Sequence, residues 1–354
     1  RPITGGMNGP MEIEGVVNEV DVIGFNYGQY EYDEFHEIYP RMPIIGSETA
    51  SYLTSRDTIV NQLPYLSSFG NVLYQNLHKW SATIGDTWKN IDRRGFVAGG
   101  FDWTGFDYRG ECGEYPATVC NFGAMDLCGF PKGAYYWHKV LWDPTPQVYL
   151  SPFWEYSPGE TVQIACYSNC EAIEVFNNEK WIFSGQHDRY QMRIINTAYV
   201  SGTLRAVGYM DGKPVAEYTL RSPENDERKL ILSPVRTEIS NRHDDWNVVN
   251  VYLTDMCGTV IPNGCDEIFF KVRGGKIIGV GNGDICCCEK EKRDRIKLFH
   301  GCAQLIVCGD EDIEITAACG NLLSRCTIAV KKTDDSLYIH NEKSRVEIAV
   351  WRQS

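Results

Sequence analysis

The sequence predicts half of a (β/α)8 TIM barrel followed by two β-sandwiches, an α/β unit joined to all-β units. Three observations lead there. Residues up to about Trp142 alternate short apolar runs with helix-like stretches, and each run closes on Gly, Asn, Ser or Asp. After Asp143-Pro144-Thr145-Pro146 the hydrophobic period changes to two, as in half-buried strands. About 140 residues precede that change, whereas a complete barrel needs about 250, so four strand–helix units fit and eight do not.

In chain order, Pro2–Met7, Asp21–Tyr27, Met42–Glu48 and Phe96–Trp103 are predicted strands. Thr54–Phe69, with spaced Ile, Leu and Tyr, and the aromatic-rich Leu77–Ile91 are predicted helices between them, and Pro131–Trp142 is a closing helix. Such βα units place their strand C-termini on one functional face. Thr161–Tyr167, Glu171–Phe176, Thr203–Tyr209 and Pro214–Leu220 then read as sandwich strands, with turns at Asn177-Asn178 and Asp211-Gly212. A charged joint, Ser222–Lys229, leads to Leu230–Val235, Asn247–Leu253, Glu267–Arg273, Lys276–Val280, Gln304–Cys308, Asp312–Ala317 and Arg345–Trp351. The units so drawn cover residues 1–143, 144–223 and 224–354.

A hydrophobic content of 43% supports sizeable cores, and 23% charged residues is ordinary for a folded chain, which excludes intrinsic disorder. No apolar run approaches about 20 residues, so no membrane span is expected. With 34 basic against 47 acidic residues, a formal charge of −13 repels phosphate, and nucleic acid is not an expected partner. The 14 cysteines form no CxxC…CxxC pair, and the adjacent Cys286, Cys287 and Cys288 suit neither a zinc cage nor paired disulfides. Free thiols in a reducing compartment follow, hence a cytoplasmic bacterial location in preference to secretion. The chain opens on Arg1 with no charged-then-apolar leader, which reads as a chain that was cut or that starts further upstream.

Three stretches carry candidate chemistry. In Pro43–Ala50 an apolar strand delivers one carboxylate, Glu48, at its end. In a barrel that position faces the substrate pocket; taken alone, Ser47 or Glu48 capping a helix from Thr54 is the commoner arrangement. Gly99–Glu111 sets Trp103 at a strand end with a carboxylate-rich loop behind it. A Trp ring at a pocket mouth stacks on sugar faces, and Asp107 offers acceptors for hydroxyls; a core Trp is the alternative. Gly24-Phe25-Asn26-Tyr27 puts an amide and a phenol at another strand end. The run Gly279-Val280-Gly281-Asn282-Gly283 is read as a sandwich turn, because no βαβ unit continues from it as a dinucleotide loop requires.

Together, in this order, these pieces resemble glycoside hydrolase family 2, in its β-galactosidase branch with C-terminal immunoglobulin-like domains. Gly46-Ser47-Glu48 matches the family's nucleophile motif, and WTGFDYRGE at Trp103–Glu111 matches its last barrel strand and loop. Phe122–Lys132 is similar to the link into the closing helix, RPITGGMN at Arg1–Asn8 to the region of the fifth barrel strand, and Tyr167–Glu171, Val175–Asn178 and Gly279–Asp284 to the appended domains.

The resemblance implies a C-terminal fragment of a retaining β-glycosidase, with Glu48 as nucleophile, Tyr27 orienting it, and Asn26, Trp103 and Asp107 on the sugar. Retention uses two carboxyl groups about 5–5.5 Å apart, one attacking the anomeric carbon and one acting as acid and then base. The family's acid/base is the Glu of an Asn-Glu pair ending the fourth barrel strand. Here Asn18-Glu19, Asn178-Glu179 and Asn341-Glu342 all fall elsewhere, so that group is expected upstream, in a missing N-terminal half, and this chain alone is expected to be inactive. The glucuronidase branch carries Asn-x-Lys where this chain reads Phe130-Pro131-Lys132, so a β-galactoside or other neutral sugar is implied, with Lys132 a solvated helix-start residue. No cofactor is required; the magnesium or sodium that family members use would take ligands largely upstream, so no metal residue is assigned here. Two rival readings differ in class. One is a non-catalytic carbohydrate-binding or scaffold fragment, with exposed aromatics such as Trp154 as the binding surface or as packing between domains. In the other, the missing half comes from a separate chain docking along Arg1–Asn8.

Overall fold

The computed structural model describes residues 1–8, 14–51, 54–56, 83–110, 117–224, 227–242 and 244–333. Of the expectations above, most of Thr54–Phe69, the start of Leu77–Ile91, Glu111, Asn341-Glu342 and Arg345–Trp351 lie outside these residues.

Strands β1 (Thr4–Met7), β2 (Val22–Asn26), β3 (Ile44–Thr49) and β4 (Val97–Asp102) form one sheet in that order, every pairing parallel. Helices α1 (Glu14–Val17), α2 (Tyr32–Ile38) and α3 (Ile84–Asp92) lie in the crossovers. Ile23, Phe25 and Ile44 turn to the helices and pack with Tyr32, Phe35 and Ile91 in one core. Phe25 meets Tyr32 and Phe35 edge-on at 5.2 and 5.3 Å, the arrangement aromatic quadrupoles prefer. Thr83 caps α3, its hydroxyl accepting from the Asp86 amide at 3.1 Å. After β4 come the short pair β5 (Tyr108–Arg109) and β6 (Val119–Cys120), then α4 (Gly133–Trp142).

Strands β7 (Val148–Ser151), β8 (Thr161–Ser168) and β11 (Arg193–Ala198) form a three-stranded antiparallel sheet, in order β11-β8-β7. It shares a core with a four-stranded sheet ordered β10-β9-β12-β13, made by β9 (Ala172–Asn177), β10 (Lys180–Gln186), β12 (Thr203–Met210) and β13 (Lys213–Arg221). The Asp211-Gly212 turn has both residues at positive φ (49° and 71°), the two-residue hairpin geometry that matches strand twist. Trp154 is not an exposed aromatic: it is 1% exposed inside this core, donating from Nε1 to the Val200 carbonyl at 3.2 Å. The outer face of β8 packs Ala165 and Tyr167 against Ala134, Trp137 and Leu141 of α4. That contact fixes the two sheets on the parallel unit.

The last assembly comprises β14 (Arg228–Pro234), β15 (Glu238–Ser240), β16 (Asn247–Asp255), β17 (Glu267–Gly281), β18 (Arg295–Lys297), β19 (Cys302–Cys319) and β20 (Leu322–Lys331). The path β14-β16-β19-β17-β18 is joined by β20, which pairs with both β15 and β19. Glu267–Arg273 and Lys276–Val280 are one bent strand, not two, and so are Gln304–Cys308 and Asp312–Ala317. The residues between those stretches form a bulged corner: Gly274 has φ 72°, and a Cβ there would lie 2.1 Å from the Asp312 carbonyl oxygen.

Candidate active site

The parallel register brings the strand ends together. Asn26 pairs with Glu48, and Thr49 with Asp102, so the C-termini of β2, β3 and β4 share one edge. Ser47 donates to the Asn26 side-chain oxygen at 2.7 Å, in space left by glycines: a Cβ on Gly24 would come within 2.7 Å of the Ser47 hydroxyl. Tyr27 sits at φ 55°, which turns the chain so that its amide donates to the Glu48 carbonyl at 2.8 Å. Its phenol then lies 2.6 Å from Ser51 Oγ and near enough to the Glu48 carboxylate to feel its charge. Burial first, and then the negative charges of Glu48 and Asp102, push the phenol far above its ordinary pKa, so it stays a proton donor. Glu48 itself is half-buried, with a face toward solvent.

Trp103 is also drawn to this edge, its amide donating to the Thr49 carbonyl at 2.8 Å. Its indole is half-buried and donates to the Tyr108 hydroxyl at 3.1 Å. Asp107 is not at this edge. Its side chain is 1% exposed and accepts from Lys132 Nζ at 2.7 Å and from the Gly123 amide at 2.9 Å. Lys132 is equally far from a solvated helix start: at 0% exposure its ammonium donates also to the Thr54 and Asn121 carbonyls, both at 3.0 Å. Burial pushes the Asp107 carboxyl up to about 6 and draws the Lys132 ammonium down, while each holds the other against that drift.

The sequence reading did not single out Asp102 or His138. Asp102 ends β4 and accepts from Thr49 Oγ1, from Trp88 Nε1 at 3.0 Å and from His138 Nε2, joining β3, α3 and α4 behind Glu48. Its place one residue before Trp103, on a strand of the same register, was the available signal; its partner 36 residues on was not. Among the described residues no group of three or more His, Cys, Asp or Glu side chains is placed to hold a metal ion, so no step below is routed through one. Nor is any helix among them long and apolar enough to cross a membrane.

Residues 230–327 match the family profile described as glycoside hydrolase family 2 C-terminal domain 5. Over 331 residues the chain is 29% identical to a β-galactosidase of Bacteroides ovatus, covering 88% of this chain and 39% of that protein. These matches support a C-terminal fragment of a glycoside hydrolase family 2 protein. The chain is also 29% identical over 227 residues to a putative β-glucuronidase of Formosa agariphila, covering 60% of the one and 22% of the other. Residues 159–216 match a profile described only as a domain of unknown function. A solved family 2 member from Bacteroides cellulosilyticus shares the fold at a TM-score of 0.80 and 24% identity, covering 94% of this chain and 45% of that one. The chain thus spans less than half the length of these relatives.

The described cysteines are free thiols. Burial pushes Cys128 and Cys166 up to about 12, whereas Cys265 and Cys288 are exposed. Iodoacetamide at pH 8 should therefore alkylate Cys265 and Cys288 in the folded protein, and Cys128 and Cys166 only after denaturation. Peptide mapping decides it, and early modification of Cys128 would contradict the burial described.

Proposed function

We propose that this chain carries the nucleophile half of a retaining β-galactosidase, in three units, 1–143, 144–223 and 224–354. The first is the C-terminal half of a (β/α)8 barrel and the others are immunoglobulin-like sandwiches. The observation that carries the reading is the placement of Glu48 beside Tyr27 at the shared strand edge, the Tyr27 amide donating to the Glu48 carbonyl and its phenol feeling the carboxylate's charge. A carboxylate that attacks an anomeric carbon must remain ionised and in line, and a phenol that keeps its proton serves both needs. Glu48 forms the glycosyl ester as the aglycone leaves, and water then releases the sugar with net retention. Asn26 and Trp103, beside it, take sugar hydroxyls and one sugar face.

The acid/base group comes from outside these residues. Asn18-Glu19 precedes β2, at the opposite end from Asn26, and Asn178-Glu179 lies in the β9–β10 turn. Both edges of the parallel sheet, β1 and β4, lack a further strand among the described residues. Along β4 an open groove of about 760 Å³ is lined by Phe101, Asp102, Tyr135, His138 and Trp142, in keeping with a barrel that closes on further strands. On this reading the isolated chain is inactive.

Burial of Lys132 supports a neutral sugar. All three of its donors are taken by Asp107, Thr54 and Asn121, which leaves none for a uronate carboxylate. The test compares p-nitrophenyl β-D-galactoside with the β-D-glucuronide, for this chain and for a polypeptide extended upstream to complete the barrel. Turnover of the galactoside by the longer protein alone, with β-galactose as the first-formed product, is expected. Equal activity in the short chain, or an α-configured product, would discard the half-barrel mechanism.

A further inference from the structure

The segment that follows Glu48 ends in the grip of a different unit. Arg56 Nε pairs with Asp126 at 2.7 Å, and its Nη2 donates to the carbonyls of Asn282 at 2.5 Å and Phe299 at 2.8 Å. Its guanidinium also lies over the rings of Phe130 and Phe299, at 4.9 and 4.8 Å. Asn282 and Phe299 belong to the last sheet assembly, on the turns after β17 and β18. The side chains of Arg56 and Asp126 are 8% and 1% exposed, so this contact is sealed from water. Nearer to Glu48, the Thr54 carbonyl is held by Lys132, and Ser51 meets the Tyr27 phenol.

We infer that Arg56 is a positioning residue through which docking of the last sheet assembly fixes the segment carrying Glu48 and Ser51. A guanidinium enclosed by a carboxylate, two carbonyl acceptors and two rings has little freedom to re-pair. Without the last assembly Arg56 loses both carbonyl acceptors and one ring, and only Asp126 and the Phe130 ring remain. The segment between Glu48 and Arg56 then loses its far anchor, and Ser51 is free to leave the phenol beside the carboxylate. A contact serving only to join the two units would not need this location. Arg109 and Glu291 already bridge them at the surface, each side chain 55% exposed.

The structural part of this inference stands without any activity; its bearing on catalysis rests on the reading of Glu48 as nucleophile. In hydrogen-exchange mass spectrometry, Arg56→Met should speed exchange of the Ala50, Ser51, Thr54 and Ser55 amides at least about tenfold, by easing local opening. Phe299→Leu, a milder change made entirely in the last assembly, should speed the same amides several-fold. Arg109→Ala, which cuts the exposed bridge between the same units, should leave them unchanged. In the upstream-extended protein, the rate at which 2,4-dinitrophenyl 2-deoxy-2-fluoro-β-galactoside labels Glu48 should fall in the same order. Unaltered segment exchange in both Phe299→Leu and a folded Arg56→Met overturns the inference. Accelerated exchange together with no labelling of the unsubstituted protein supports the inference and removes the catalytic reading of Glu48 instead.

Discussion

Glu48→Gln, in a polypeptide with the barrel complete, is expected to lower turnover of p-nitrophenyl β-D-galactoside by at least about 10³-fold, in line with deletion of the nucleophile in other covalent enzymes. The substitution keeps size and backbone. The Glu48 carbonyl still accepts from the Tyr27 amide, so the loss is one of chemistry and not of fold. A second variant separates a nucleophile from a carboxylate that merely stabilises charge. Glu48→Gly leaves a gap beside the sugar, and azide entering it attacks the anomeric carbon directly. Azide should then restore a large share of the rate and give the α-glycosyl azide, read by nuclear magnetic resonance. Retention of more than about a tenth of the activity by Glu48→Gln would be incompatible with covalent catalysis through this residue.

Lys132→Met is expected to cost about 3–5 kcal/mol of stability, the usual consequence of stranding one member of a buried ion pair. Asp107 would be left at 1% exposure with only the Gly123 amide, while the Thr54 and Asn121 carbonyls lose their shared donor. The pH dependence distinguishes this cause from simple misfit. In the folded protein burial already raises Asp107 to about 6, whereas the unfolded chain titrates near 4. The folded state therefore binds that proton more tightly, so ionisation of Asp107 removes stability as pH rises from about 4 through about 6. Losing Lys132 enlarges that loss. The gap between Lys132→Met and the unsubstituted protein in urea titration should therefore narrow as pH is lowered from 7 to 5. A gap independent of pH would mean that packing, not the stranded carboxylate, sets the cost. The double variant Asp107→Leu, Lys132→Met should recover most of the difference.

What could be read from the chain alone was whatever is written in neighbouring residues. Apolar runs ending at Tyr27, Glu48 and Trp103 marked three strands, each to within one residue of its observed end. Features settled by distant partners were not legible. Lys132 stands at the start of an amphipathic helix and looks solvated, yet its partners lie 11, 25 and 78 residues away. Asp107 sits in a motif rich in sugar-binding residue types, and only the return of residues 118–132 over it turns it inward. Trp154 follows Pro152 in a loop-like stretch, and only the closing of two sheets buries it. The short or mostly polar strands β7, β10, β11, β15 and β18 gave too little alternation to be found, while β20, ten residues with clear alternation, was overlooked. Gly274-Gly275 and Gly309 lie where the sequence reading divided two long strands, and they mark a bend that both strands share.

That bend governs how the last assembly comes into being. Residues Cys302–Val307 of β19 hydrogen-bond to β16, residues Ile313–Cys319 bond to β20, and β17 follows β19 along both stretches. The β19–β20 hairpin can close locally, but β19 completes its pairing only when β16 and β17 are also in place. On the ribosome, β14, β16 and β17 must wait, with open edges, until β19 has emerged. Pairings so far apart in sequence close slowly. The same sharing gives the finished assembly a single cooperative melting step, so a chain ended near residue 310 would lose β14 and β16 along with the strands it lacks.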